Sequence, residues 1–165
     1  MPIEGEVAEI GVADGQFSEK ILHINKPIRL HLIDAWNMVN NSAYGNGGEQ
    51  RVRTIFSSKI SDGTVKIHRG LSWEMLEKLP NQSLDWLYID AAHDFSSVKK
   101  DLQVAKKKVK KGGFIAGHDY TRWGRFGQRF GVLEAVNEFI LMHSYELAFI
   151  TLESNYNWSY AIKVS

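Results

Sequence analysis

Two carboxylates and two imidazoles stand where apolar runs stop. Asp90 closes the run Leu87-Tyr88-Ile89, and His93 lies just beyond it. His118-Asp119 closes Phe114-Ile115-Ala116-Gly117. If these runs are neighbouring strands of one sheet, Asp90, His93, His118 and Asp119 converge at one mouth. Such a set can hold a hard divalent ion through its oxygens, or move protons through histidine. The plainer alternative is a hydrogen-bonded network that only stiffens loops. The other histidines, His23, His31, His68 and His143, fall inside predicted elements and read as structural or surface residues.

A second set of residues points to a ligand. Glu9-Ile10-Gly11-Val12-Ala13-Asp14-Gly15 is a glycine-rich turn without the G-x-G-x-x-G dinucleotide fingerprint. That fingerprint sets backbone amides against a pyrophosphate at a helix N-terminus. Here Glu9 and Asp14 place negative charge where a pyrophosphate needs neutral or positive surroundings. A cation without phosphates fits better, and S-adenosylmethionine (SAM) carries a sulfonium and an ammonium. Read alone, the turn is equally a tight strand-to-helix connection. Asp34, ending Leu30-His31-Leu32-Ile33, is placed to accept from both hydroxyls of a ribose. Trp36 is placed beside an adenine or packed under the loop that follows. Ser72, after Gly70-Leu71, reaches the adenine or caps the next helix.

These residues need a sheet to bring them together. Val7–Val12, Arg29–Ala35, Val65–His68, Leu84–Asp90 and Phe114–Ala116 read as strands separated by helical patterns. That order implies a parallel sheet with helices on both faces. The helix after the fourth strand carries Val98, Leu102, Ala105 and Val109 on one stripe. Ser96 or Ser97 is its predicted cap, and Gly112-Gly113 its predicted stop. Lys106, Lys107, Lys108, Lys110 and Lys111 are read as a solvated face that complements the helix dipole. A later helix carries Val132, Ala135, Val136, Phe139 and Ile140. Glu146–Leu152 and Trp158–Val164, joined by the polar turn Ser154-Asn155-Tyr156-Asn157, form a hairpin, so one strand runs antiparallel. The expectation is a Rossmann-like, doubly wound, mostly parallel α/β sheet of seven strands ending in an antiparallel hairpin. It forms one domain over residues 1–165. Two stretches outside these elements, Asn37–Glu49 and Thr121–Gly131, begin at the carboxyl ends of strands, where open α/β sheets bind ligands. Both are candidate lids. The second holds Arg122, Arg125 and Arg129 among Trp123, Phe126 and Phe130, which suits an anionic or hydroxyl-rich acceptor or packs on the protein's own surface.

Composition removes several classes. There is no cysteine, so disulfides, thiolate zinc sites and cysteine nucleophiles are excluded. A net charge of +1 lacks the basic excess of a dedicated nucleic-acid grip. No segment is long and apolar enough to span a bilayer, and Met1-Pro2-Ile3-Glu4-Gly5-Glu6 has no signal-peptide character. The expected location is cytoplasmic.

Glu9-Ile10-Gly11 through Gly15, Ile89-Asp90-Ala91-Ala92-His93-Asp94-Phe95 through Asp101, and Gly112-Gly113-Phe114 through Gly117-His118-Asp119-Tyr120 together resemble the small class I SAM-dependent methyltransferases. Gly131-Val132, Ala135-Val136 and Phe139 match that family's helix after the fifth strand. The resemblance implies SAM on Glu9, Gly11 and Gly15, ribose on Asp34, and adenine near Trp36, Gly70, Leu71 and Ser72, with Asp90 at the donor end. Catechol and macrolide-sugar O-methyltransferases are similar, and by that analogy Asp90, His118 and Asp119 hold magnesium or manganese. His118 departs from the acidic or amide residue expected there, and imidazole suits transition metals better than magnesium.

The resulting expectation is methyl transfer from SAM to a small-molecule or sugar hydroxyl, with His93, His118 and Asp90 as catalytic groups. The expected partner is a small-molecule or glycan acceptor, without nucleic acid or membrane, and a homodimer is allowed. Two other classes stay open: a non-catalytic SAM- or nucleotide-binding domain, and an NAD-dependent oxidoreductase or epimerase.

Overall fold

The computed structural model describes residues 1–36, 47–124, 126–154 and 157–165. Its elements run β1 (Glu6–Ile10), α1 (Gln16–Ile24), β2 (Arg29–Asp34), α2 (Gly48–Ile55), α3 (Ser57–Ser61), β3 (Val65–Arg69), α4 (Ser72–Glu77), β4 (Leu84–Ile89), α5 (Phe95–Lys108), β5 (Val109–Gly117), α6 (Val132–His143), β6 (Glu146–Ile150) and β7 (Tyr160–Lys163). The strands form one seven-stranded sheet in the order β3-β2-β1-β4-β5-β7-β6. β1 to β5 pair in parallel, and β7 pairs antiparallel to both β5 and β6. This is the sheet expected from the sequence, hairpin included.

Apolar residues on both faces of the central strands explain why the sheet is sandwiched. Ala8, Ile10, Ile33, Leu87 and Ile89 pack on one side with Val98, Leu102 and Ala105 of α5 and Val136 and Phe139 of α6. Val7, Leu30, Leu32 and Trp86 pack on the other with Ile21 of α1 and Val52 of α2. Connections leave β1 towards β2 on one side and β4 lies on the other, so the crevice between β1 and β4 is the topological switch point. Among the described residues, no helix is long and apolar enough to cross a membrane.

Several local expectations change. Asp94, not Ser96 or Ser97, caps α5: its carboxylate accepts from the Ser97 amide at 3.0 Å. Gly112 and Gly113 do not stop that helix, because Val109 passes directly into β5 and both glycines lie within the strand. A Cβ on Gly113 would stand 2.5 Å from the Asp85 carbonyl oxygen, so close strand packing is the reason for that glycine. Lys108 does not belong to the solvated lysine face. It is buried, and its ammonium donates to the carbonyls of Glu77 (2.8 Å) and Leu79 (2.9 Å) and to Asn81 Oδ1 (3.0 Å). Within the first expected lid, Gly48 and Glu49 belong to α2, and residues 37–46 lie outside the described residues, as do Arg125, Asn155 and Tyr156.

Candidate active site

A cavity of about 530 Å³ opens over the carboxyl ends of β1, β2 and β4, within the usual range for small-ligand sites. Gly11 makes it possible. Its φ is +87°, and a Cβ there would lie 1.9 Å from the Asp90 carbonyl oxygen. Only glycine lets the first turn pass so close to the end of β4. Backbone bonds then lock the three strand ends together: Gly11 N donates to Ile33 O (2.9 Å) and Asp90 N to Ile10 O (2.7 Å). Gly15, also at φ +87°, caps α1.

Asp34 organises this turn. One carboxylate oxygen accepts from the amides of Val12 (2.7 Å) and Ala13 (2.8 Å), and the other from Trp36 (2.6 Å). The sequence suggested only a ribose acceptor, and the backbone role comes in addition; a carboxylate has further lone pairs for a ligand. Trp36 is held by its indole N–H on Ala13 O at 2.9 Å. Glu9, Gly11, Asp34, Trp36, Leu71, Ser72 and Asp90 all line the cavity. Gly70 stands one residue behind the wall, its amide on Asp34 O at 2.9 Å. Gln16, Phe17, Gly48, Trp73 and Ser97 also line it; none is expected from sequence to bind the ligand, although Gly48 lies in the first expected lid and Ser97 is a predicted helix cap. Gln16 and Phe17 follow Gly15 directly and were within reach of that reasoning. Trp73 and Ser97 needed the helix orientations.

Glu9 is the most buried acid of the wall, 1% exposed, and accepts from Ser18 Oγ at 2.5 Å. Burial pushes its carboxyl up to about 8 against the bond from Ser18, with the negative charges of Asp90 and Asp34 adding to the rise. The cavity thus contains an acid that an incoming cation would ionise.

Beside Asp90 the four predicted polar residues do meet. His118 N donates to Ile89 O at 3.0 Å, which carries the end of β5 up against β4. His93 Nε2 lies 2.7 Å from Asp119 Oδ2 and 3.7 Å from Asp90 Oδ1. His118 Nδ1 lies 3.4 Å from Asp119 Oδ1 and 3.8 Å from Asp90 Oδ2. The His93 ring is stacked on Phe130, with centroids 4.4 Å apart. Burial pulls His93 down, but its bonds to Asp119 and Asp90 and their charges prevail and raise it to about 9. His118 is raised as well, first by Asp119. Asp119 is buried, and although burial opposes ionisation, the two histidines hold its carboxyl far below the usual range. Asn157, read from sequence only as part of a turn, donates its side-chain amide to Asp119 Oδ1.

Cation donors converge in a different trio from the one expected. Among the described residues, Asp90, His93 and Asp119 bring one ligand atom each within 4.8 Å of one another. Two carboxylates and an imidazole suit a first-row transition ion over magnesium.

In the second expected lid, Trp123 bridges Arg129 as a small antiparallel pair. Arg122 and Arg129 both approach Glu134, at 3.5 and 3.7 Å, while Phe130 is buried and Trp123 is exposed.

Comparison with known proteins agrees with this geometry. Residues 8–120 match the family described as methyltransferase domain. No curated protein matches the chain. Among solved structures, Aeropyrum pernix fibrillarin with natively bound S-adenosyl-L-methionine is similar at a TM-score of 0.70 and 11% identity, over 98% of this chain and 67% of that one. A Klebsiella pneumoniae protein assigned as an O-methyltransferase gives 0.68 and 18%, over 97% and 73%. The Bacillus subtilis tRNA methyltransferase TrmK gives 0.68 and 12%, over 99% of this chain but 62% of its own length. At these identities the likeness is one of fold.

Proposed function

The chain belongs to the methyltransferase-domain family, and from that premise we propose that it moves the methyl group of SAM to a hydroxyl of a small molecule or sugar. One observation carries the reading. Asp90 belongs both to the wall of the cavity and to the histidine–carboxylate cluster, so a donor held in the cavity would have a proton acceptor beside it.

The cavity fits SAM by its chemistry. Glu9 and Asp90 offer negative charge to a sulfonium and an ammonium, Asp34 offers acceptors to a ribose, and Trp36, Leu71 and Ser72 surround space for a base. SAM, when bound, supplies an activated methyl whose bonding electrons leave with sulfur as a neutral thioether. The protein's own work is alignment and proton removal. His118 presents Nδ1 to the two aspartates, leaving Nε2 to take the hydroxyl proton as the oxygen attacks. Asp119 stabilises the resulting imidazolium. Asp90, His93 and Asp119 are the residues that would hold a divalent ion, which lowers the pKa of a hydroxyl bound to it. The lid arginines suit an acceptor with anionic or hydroxyl-rich character.

Calorimetry with SAM and with its demethylated product, in the presence and absence of magnesium or manganese, tests the donor. A panel of phenolic and sugar acceptors with radiolabelled SAM tests the transfer. Tight SAM binding with label appearing on an oxygen is the expected result. Binding of NADH in place of SAM, or SAM binding with no acceptor methylated across the panel, overturns the reading.

A further inference from the structure

A further acid lies behind the wall of the donor cavity. Asp101, on the inner face of α5, is 0% exposed, and neither of its carboxylate oxygens makes an aligned hydrogen bond. We propose that Asp101 is a positioning residue for the donor's base. It holds the Ser72 hydroxyl with its lone pairs turned into the cavity, so that the site selects a 6-amino purine over a 6-oxo purine. This rests on the reading that SAM occupies the cavity.

Two successive residues of α4 meet two successive residues of α5. Lys100 Nζ stands over the Trp73 ring, 4.8 Å from its centroid, and the Ser72 side chain is the donor that approaches Asp101. Ser72 and Trp73 line the cavity, as does Ser97, one helical turn before Asp101. The sequence left Ser72 between contact with the base and capping of the next helix. Leu71 takes the capping position of α4, and no side-chain bond closes that helix end. The Ser72 hydroxyl is therefore not spent on the helix.

The direction of that hydroxyl follows from what each partner can do. An ionised carboxylate only accepts, so Ser72 gives it the hydroxyl proton and keeps its lone pairs for a ligand. A 6-amino group donates to those lone pairs, whereas a 6-oxo group meets them with its own. Protonation of Asp101 reverses the arrangement: the carboxyl donates to Ser72 Oγ, and the hydroxyl is released to donate to an oxo group. Burial pushes Asp101 up to about 7 against the bond from Ser72, with the charge of Asp94 adding to the rise and that of Lys100 opposing it. On the β7 side Asp101 lies within electrostatic reach of Tyr160, whose hydroxyl is also buried and makes no bond to it. Selectivity for the amino base therefore falls as pH drops through about 7.

The test compares S-adenosylhomocysteine with S-inosylhomocysteine, its 6-oxo counterpart, by titration calorimetry on the whole chain. Both carry the same ribose and amino acid, so the ratio of their affinities cancels whatever Glu9 and Asp34 contribute. At about pH 8 the unmodified protein should prefer the amino base at least about tenfold, and that ratio should fall at least about fivefold by about pH 6. Asp101→Asn offers the hydroxyl a donor and an acceptor at every pH, so its ratio should be lower and flat. Ser72→Ala should behave alike, and it decides the matter should melting temperatures show that the asparagine variant folds poorly. Tyr160→Phe removes the other buried hydroxyl near Asp101 and should leave the ratio and its pH dependence unchanged. Failure of the unmodified protein to bind S-adenosylhomocysteine overturns the donor reading and this proposal together. Binding without base preference, or a preference indifferent to pH, overturns this proposal alone. So does a pH-dependent ratio that survives in Ser72→Ala or Asp101→Asn, or one that disappears in Tyr160→Phe.

Discussion

Replacing Glu9 with glutamine separates the charge of the first turn from its shape. In the empty protein burial holds the Glu9 carboxyl at about 8, so at pH 7 roughly nine molecules in ten carry the proton. A sulfonium or ammonium in the cavity favours the carboxylate, and binding then expels that proton. The sign follows directly. Because the empty folded state holds a proton that the complex lacks, affinity rises with pH until the pH reaches the folded-state pKa. From pH 5.5 to 7 the cost of ionising Glu9 falls by about 2 kcal/mol, at about 1.4 kcal/mol for each pKa unit. Affinity for SAM should therefore rise about thirtyfold over that range, while Glu9→Gln stays flat. Stability runs the other way. A buried acid with a raised pKa favours the fold below about 4.5, its ordinary value, and the contribution is lost as pH rises through about 8, so the empty wild type loses stability relative to the variant in that window. Titration calorimetry in two buffers of different ionisation enthalpy reads the affinity and the protons released, and about 0.9 proton should leave per SAM bound at pH 7. Parallel pH curves for the two proteins, with heats independent of buffer, would refute the argument.

Gly11→Ala places a Cβ against the Asp90 carbonyl in a left-handed backbone, and urea denaturation should show a loss of about 3–5 kcal/mol. Lys108→Ala strips the donor from two buried carbonyls and Asn81 and should cost about 2–4 kcal/mol, whereas exposed Lys111→Ala should stay within about 0.5 kcal/mol. His68 is pushed down to about 4 by burial first and then by His31, whose Nδ1 it meets at 2.9 Å. The unfolded chain takes up this proton at a higher pH than the fold does, so the stability contribution is present above about 6.5 and lost as pH falls towards 4. His68→Gln should flatten the acid limb of a melting-temperature profile, and an unchanged limb counts against the buried-pair account.

What the sequence disclosed, and what it withheld, follows from how locally each feature is determined. The α5 stripe of Val98, Leu102 and Ala105 is a periodic signal, and all three residues are buried as read. Its cap reads from sequence as Ser96 or Ser97, and the structure gives Asp94 instead. The choice of Asp94 depends on its extended backbone, ψ 150°, which composition does not encode. Lys108 looks like its neighbours in sequence, and only the approach of the segment after α4 makes it a buried clamp. At the candidate site, acids at strand ends were legible because parallel strands deliver their carboxyl ends to one rim. The pairing of histidines with carboxylate oxygens was not. His93 and His118 sit on separate loops, and which carboxylate oxygen each meets depends on the left-handed turn at Asp119 and on Asn157, far along the chain.

The distribution of charge around the switch point also explains why this first turn favours a cation where dinucleotide-binding folds hold a diphosphate. A dinucleotide site presents free amides at its first turn. Here two of those amides, Val12 and Ala13, are already spent on Asp34, and Glu9 lies beneath them within electrostatic reach of Asp34 and Asp90. A phosphate would meet no unpaired donors from that pair and three acidic groups, a combination that low-dielectric surroundings penalise heavily. A sulfonium meets the same three acids as counter-charge and asks for no hydrogen bond. The hydrogen bonds that hold the turn in shape are thus also the ones that set the sign of the ligand it can accept.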